Sequence, residues 1–134
     1  MSRKLARNEL FKLVFEICFQ DHSEVLFDEF LENENISQEN KNFVKEIYSG
    51  IMENKDDILQ DISKYLKGYT IERLFKVDLS ILMIAFYEIK YQKSEDHKVI
   101  ANEAVELAKK YSTPKSYSFI NGVIASLIKD VVNG

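Results

Sequence analysis

The chain has 134 residues, 46% of them apolar, with one proline, four glycines, no tryptophan and a net charge of −4. That length predicts one domain over residues 1–134, and the composition with helical spacing nearly throughout predicts an all-α fold. No apolar run reaches the ~20 residues that span a bilayer, the opening residues do not read as a signal peptide, and the single Cys18 excludes an intrachain disulfide. A cytoplasmic protein without membrane contact is therefore expected.

The first helix is expected to start after Ser2, an N-cap residue. Ala6, Leu10, Leu13, Val14 and Ile17 form its core stripe, widened by Phe11, Phe15 and Cys18. His22 and Ser23 break the pattern. A short acidic helix comes next, with Val25, Leu26, Phe30 and Leu31 facing inward. Ser37 caps a third helix with Phe43, Val44, Ile47, Tyr48 and Ile51 at helical spacing, and Ile58, Leu59, Ile62 and Leu66 continue the pattern. Gly50 and Asn54 mark either a bend or an outer face. Lys67-Gly68-Tyr69-Thr70 reads as a turn, with Thr70 as the N-cap of the next helix. The stretch Val77 to Tyr91 is apolar almost all round, which predicts a helix in the centre of a bundle. Ser94 to His97 form the next turn. A helix from about Lys98 carries Ile100, Ala104, Leu107, Ala108 and Tyr111 on one stripe. Thr113-Pro114 starts the last helix as cap and first helical residue. That helix turns Ile120, Val123, Ile124, Leu127, Ile128 and Val131 inward. Six or seven helices result.

Charge is segregated along the chain. Residues 1–15 sum to +3, residues 16–61 hold thirteen acids against three bases, and residues 62–134 sum to +3. An acidic whole argues against a general nucleic-acid binder. Segregation leaves room for a local cationic patch and a selective partner.

Chemistry-bearing motifs are sparse. His22 and His97 have no cysteine or second histidine at metal-ligand spacing, Cys18 lies on an apolar stripe with no basic activator, and there is no glycine-rich phosphate loop. Asp56, Asp57 and Asp61 read as a solvated helix face. No catalytic residue, metal or cofactor is expected. The cations carry more. Arg3 and Arg7 are four apart and project from one side of the first helix, with Lys4 one step round. They are either a solubilising terminus or an anion site, where phosphates would offset their conflict with the helix dipole. On the last helix Phe119 lies about 110° from the core stripe, with Lys115 further round beside Gly122. Phe119 either packs on a neighbouring helix or offers a ring on which unpaired bases stack while phosphates meet the lysine. Tyr65, Tyr69, Arg73 and Lys76 form a third cluster of rings and cations.

Several motifs together resemble the NusB family of transcription antitermination factors over nearly the whole chain. They are Arg3-Lys4-Leu5-Ala6-Arg7, Glu72-Arg73-Leu74, Val77-Asp78, Ile81-Leu82, Ile84-Ala85, Tyr87-Glu88-Ile89, Asn102 to Lys109 and Phe119-Ile120-Asn121-Gly122-Val123. The resemblance implies an all-α domain of two small helical bundles that performs no chemistry. It implies binding of single-stranded boxA-type RNA in ribosomal RNA transcripts, jointly with the ribosomal protein NusE, within an antitermination complex on RNA polymerase. It assigns RNA contacts to Arg3, Lys4, Arg7, Tyr65, Lys115 and Phe119, and the NusE side to Asp78 and Glu72. Acids there would complement a basic ribosomal protein. The basic N-terminus is thinner than in many family members, and Leu79 stands where many have a basic residue. Two rival readings are a helical protein-interaction module or homodimer without direct RNA binding, and an accessory domain of an RNA methyltransferase. The length leaves no room for the cofactor domain that the second would need.

Overall fold

The computed structural model describes residues 2–19, 24–93 and 95–134. The described residues form seven α-helices, one 3₁₀ turn and one π-helical turn, with no strand. Helix α1 (Arg3–Ile17) starts where the Ser2 hydroxyl accepts the Leu5 N–H at 3.2 Å. Short α2 (Val25–Glu32) leads to α3 (Gln38–Glu53), where the Ser37 hydroxyl accepts the Asn40 N–H. Helix α4 (Lys55–Ser63) comes after Asn54, whose side chain and backbone N–H both donate to the Gly50 carbonyl. The bend is therefore at Asn54. Gly50 has a different role: it is buried, and a Cβ there would collide with the Tyr87 ring.

The central helix α5 (Lys76–Tyr87) is buried at every position from Asp78 onward. It packs against α1, α3 and α4 on one side and α6 (His97–Tyr111) and α7 (Pro114–Asn133) on the other. An all-round apolar helix can satisfy its surface only in that central place. Its buried residues join those of the other helices in one connected core that includes Leu10, Ile47, Ile62, Ile100 and Ile124. Asp96 caps α6, and Thr113 with Pro114 starts α7 as expected.

Four expectations are corrected. Val25 and Leu26 are exposed; α2 instead turns Phe30 into the core and lays Phe27 on the Tyr48 ring at 4.1 Å. Thr70 precedes the 3₁₀ turn Ile71–Arg73, and α5 begins only after Phe75. The apolar run to Tyr91 is not one α-helix, because residues Glu88–Gln92 form the π-helical turn, closed by Lys93 at φ 55°. Val131, in the last turn of α7, is exposed, whereas Ile124 and Leu127 earlier on the same helix are buried. The His22–Ser23 break, and Ser94 at the start of its turn, lie outside the described residues.

Candidate nucleic-acid interface

Two basic regions carry aromatic rings. At the start of α1, Arg3 is half-buried, with its guanidinium 4.0 Å above the Phe43 ring centre and an ion pair to exposed Glu39 at 3.4 Å. Lys4 is exposed and lines a groove of about 290 Å³ between α1 and α6 with Asn8, Glu106, Lys109 and Lys110. Arg7, expected among the RNA contacts, is withdrawn from the surface. It is 3% exposed, donates to Glu88 at 2.8 Å, stands 3.9 Å from Glu95 and lies beside the same Phe43 ring. Burial pushes the Glu88 carboxyl up, against the pull of the Arg7 charge. The π-helical turn begins at Glu88, so the irregular backbone carries this buried acid.

The second region surrounds the start of α7. Asp78 sits in the first turn of α5, where a carboxylate suits the helix dipole. Its two oxygens accept the hydroxyls of Ser112 at 2.6 Å and Ser116 at 2.7 Å. Asp78, expected on the NusE side, is 4% exposed and turns its carboxylate to these two serines at the floor of a cradle that Lys115 and Phe119 also line. It ties the α6–α7 corner to α5. That tie sets Lys115 and Phe119 against the turn before α5. Tyr69, Arg73, Phe75, Lys115 and Phe119 line one open cradle of about 300 Å³. The Phe119 ring meets Tyr69 edge-to-face at 5.9 Å and is half-buried. Tyr69 and Phe75 are largely exposed, Phe75 at 66%. Arg73 and Lys115 are exposed, without an ion-pair partner among the described residues. Rings with unpaired cations beside them can stack bases and hold phosphates.

Glu72 is exposed on the 3₁₀ turn next to Arg73. Tyr65 stands apart from the cradle. Its ring packs on Phe86 and its hydroxyl donates to Asp130 at 2.7 Å. Burial and that carboxylate push the phenol up to about 12. Thus the structure joins Lys115 and Phe119 with Tyr69 and Arg73 from the third sequence cluster, and leaves Arg3 on α3. Sequence reasoning missed Phe75, whose signal was a ring two residues after Arg73 at a helix start. Lys109 and Lys110, which line the α1–α6 groove, were not singled out in the sequence; cations are common in the last turn of a helix.

Among the described residues, no group of three or more His, Cys, Asp or Glu could hold a metal ion, and no helix is long and apolar enough to cross a membrane. Comparison with known proteins gives a consistent result. The chain is 42% identical over 130 residues to the transcription antitermination protein NusB of Finegoldia magna, covering 96% of this chain and 95% of that one. It is 41% identical to the NusB of Clostridium novyi, covering 96% and 99%. Its fold superposes on T. maritima NusB with TM-score 0.88 at 31% identity, covering 96% of this chain and 92% of that one. It superposes on a crystal structure of the antitermination factors NusB and NusE in complex with double-stranded RNA with TM-score 0.85 at 27% identity, covering 96% of each chain. The NusB family model matches residues 3–129, and the chain belongs to the NusB family.

Proposed function

We propose that this protein is a non-enzymatic adaptor that binds single-stranded boxA-type RNA together with the ribosomal protein NusE, in an antitermination complex on RNA polymerase in the cytoplasm. The observation that carries the reading is the open cradle of Tyr69, Arg73, Phe75, Lys115 and Phe119. Exposed rings are costly to leave in water without a use, and bases can stack on them only when unpaired. Arg3 and Lys4 add a second cationic contact, with Arg3 already oriented by Phe43. Arg7 and Asp78 serve beneath the surface, holding the elements that carry these groups. Exposed Glu72 would meet the basic ribosomal partner. The similar protein solved with NusE and double-stranded RNA supports the pairing with NusE and with RNA, and the preference for an unpaired strand rests on the cradle.

The test is a titration of boxA-type RNA into the protein, alone and premixed with NusE, at several salt concentrations. The expected result is binding that tightens in the premix and weakens linearly on a log–log salt plot. Absence of binding in both arms at low salt overturns the RNA reading. A complex with NusE that ignores RNA would leave a protein-interaction module.

A further inference from the structure

The two basic regions are separated by α6 and α7, and the surface between them is not featureless. At 100° per residue, α7 presents Phe119, Lys115, Gly122, Ser118 and Asn121 in that order round about 160° of its circumference. Lys115, Ser118, Asn121 and Gly122 are exposed. A Cβ built at Gly122 would meet nothing within 4 Å. No neighbouring element therefore requires a glycine there, and a helix interior disfavours one. Its use must lie on the solvent side, where it permits close approach to the helix backbone. Beyond Asn121 the surface falls into a groove of about 560 Å³ between α6 and α7, with Tyr117 on one wall and Lys109 on the other. Lys109 also lines the α1–α6 groove, where Lys110 and Lys4 stand. Lys110 is aimed by the Asn8 side chain, which accepts its ammonium at 3.0 Å. Glu106 pairs loosely with Lys109 at 3.6 Å, an exposed contact that a phosphate can displace.

Resting on the RNA-binding reading, we propose that the RNA strand leaves the Phe119 cradle across the bare Gly122 backbone of α7, enters the α6–α7 groove, and is held by Lys109 and Lys110 on its way to Lys4. The track makes one continuous site of two patches that otherwise share no contact. It adds two phosphate contacts at the end of α6, where the helix dipole already favours cations.

The experiment compares a strand of about five nucleotides, enough for the cradle, with one of about twelve, using fluorescence anisotropy on the intact chain premixed with NusE. The variants are Gly122→Gln and Lys109→Ala with Lys110→Ala. All these sites are exposed, and circular dichroism checks that the variants fold. Both variants are expected to bind the short strand as the wild type does and the long strand about tenfold more weakly. The double lysine variant should also lower the salt slope for the long strand by about 1.4, from roughly 0.7 per phosphate on a single strand. Unchanged long-strand affinity and slope overturn the track while the wild type still binds RNA, which leaves the functional reading standing. Equal loss on both strands overturns it too, because the cradle would then be what changed. If the wild type binds neither strand, the functional reading and the track fall together.

Discussion

The start of α1 and the start of α7 carry nearly the same ingredients, arginine or lysine beside a phenylalanine, yet the fold treats them oppositely. On α1 the two arginines are engaged by other residues of the chain, while Lys4 stays exposed. Arg7 is sealed against Glu88, and Arg3 lies on Phe43 with Glu39 beside it. At α7 the buried charge is Asp78, below the surface, and the cations above it stay open. A basic-aromatic motif in a sequence therefore does not say which of its members will reach solvent. Acids elsewhere in the chain decide it: Glu88 lies 81 residues beyond Arg7.

The contrast can be broken most forcefully at Arg7. Arg7→Ala leaves Glu88 buried without its partner and is expected to cost about 3–5 kcal/mol, read by urea denaturation at neutral pH. The sign of the pH dependence comes from the raised Glu88 carboxyl. Protonating it removes a buried charge, so the deficit should shrink as pH falls through its pKa and be full above it. A surface-like loss below about 0.5 kcal/mol would mean that Arg7 is not held as described.

Asp78→Ala removes two hydrogen bonds to a charged acceptor and should cost about 2–4 kcal/mol. It should also weaken RNA binding, because the corner that sets Lys115 and Phe119 is released. Asp78→Asn, which can still accept one hydroxyl, should recover part of both losses. Phe119→Ala acts the other way round. It should lower RNA affinity by about 1–3 kcal/mol, while its unfolding midpoint moves less than that of Asp78→Ala. Equal stability losses in the two variants would make Phe119 a packing residue.

The smallest effect is expected at Tyr65. The difference in phenolate absorbance between wild type and Tyr65→Phe should titrate at about 12. Since the folded value lies above the ordinary 10, the Tyr65–Asp130 bond contributes below pH 10 and is lost as pH rises through about 12. The same variant should leave RNA affinity within about twofold, as its hydroxyl is already engaged with α7. A larger loss would return Tyr65 to the RNA surface.

The helices were legible because their signals are local. Ser2, Ser37 and Thr113 cap where a hydroxyl precedes an apolar stripe, and the all-round apolar run after Val77 had to be central. Phe119 and Lys115 were legible as a pair because four residues bring side chains to one face of a helix. The exposure of Val25, Leu26 and Val131 was not legible, because an apolar residue turns inward only where another element arrives to cover it. Nor was the π-helical turn, which accompanies the seating of Glu88 against Arg7.

The amino-acid order alone thus determined the helical class, most of the core stripe and the family motifs, since spacing, caps and apolar runs act within a few residues. Only the tertiary structure decided which charges remain available to a ligand. Arg7 and Asp78 met partners far away in the chain that made their burial tolerable, whereas Arg73 and Lys115 met none among the described residues. A charge leaves water only when a partner of the right kind is brought to it, and that meeting is set by the packing of whole helices.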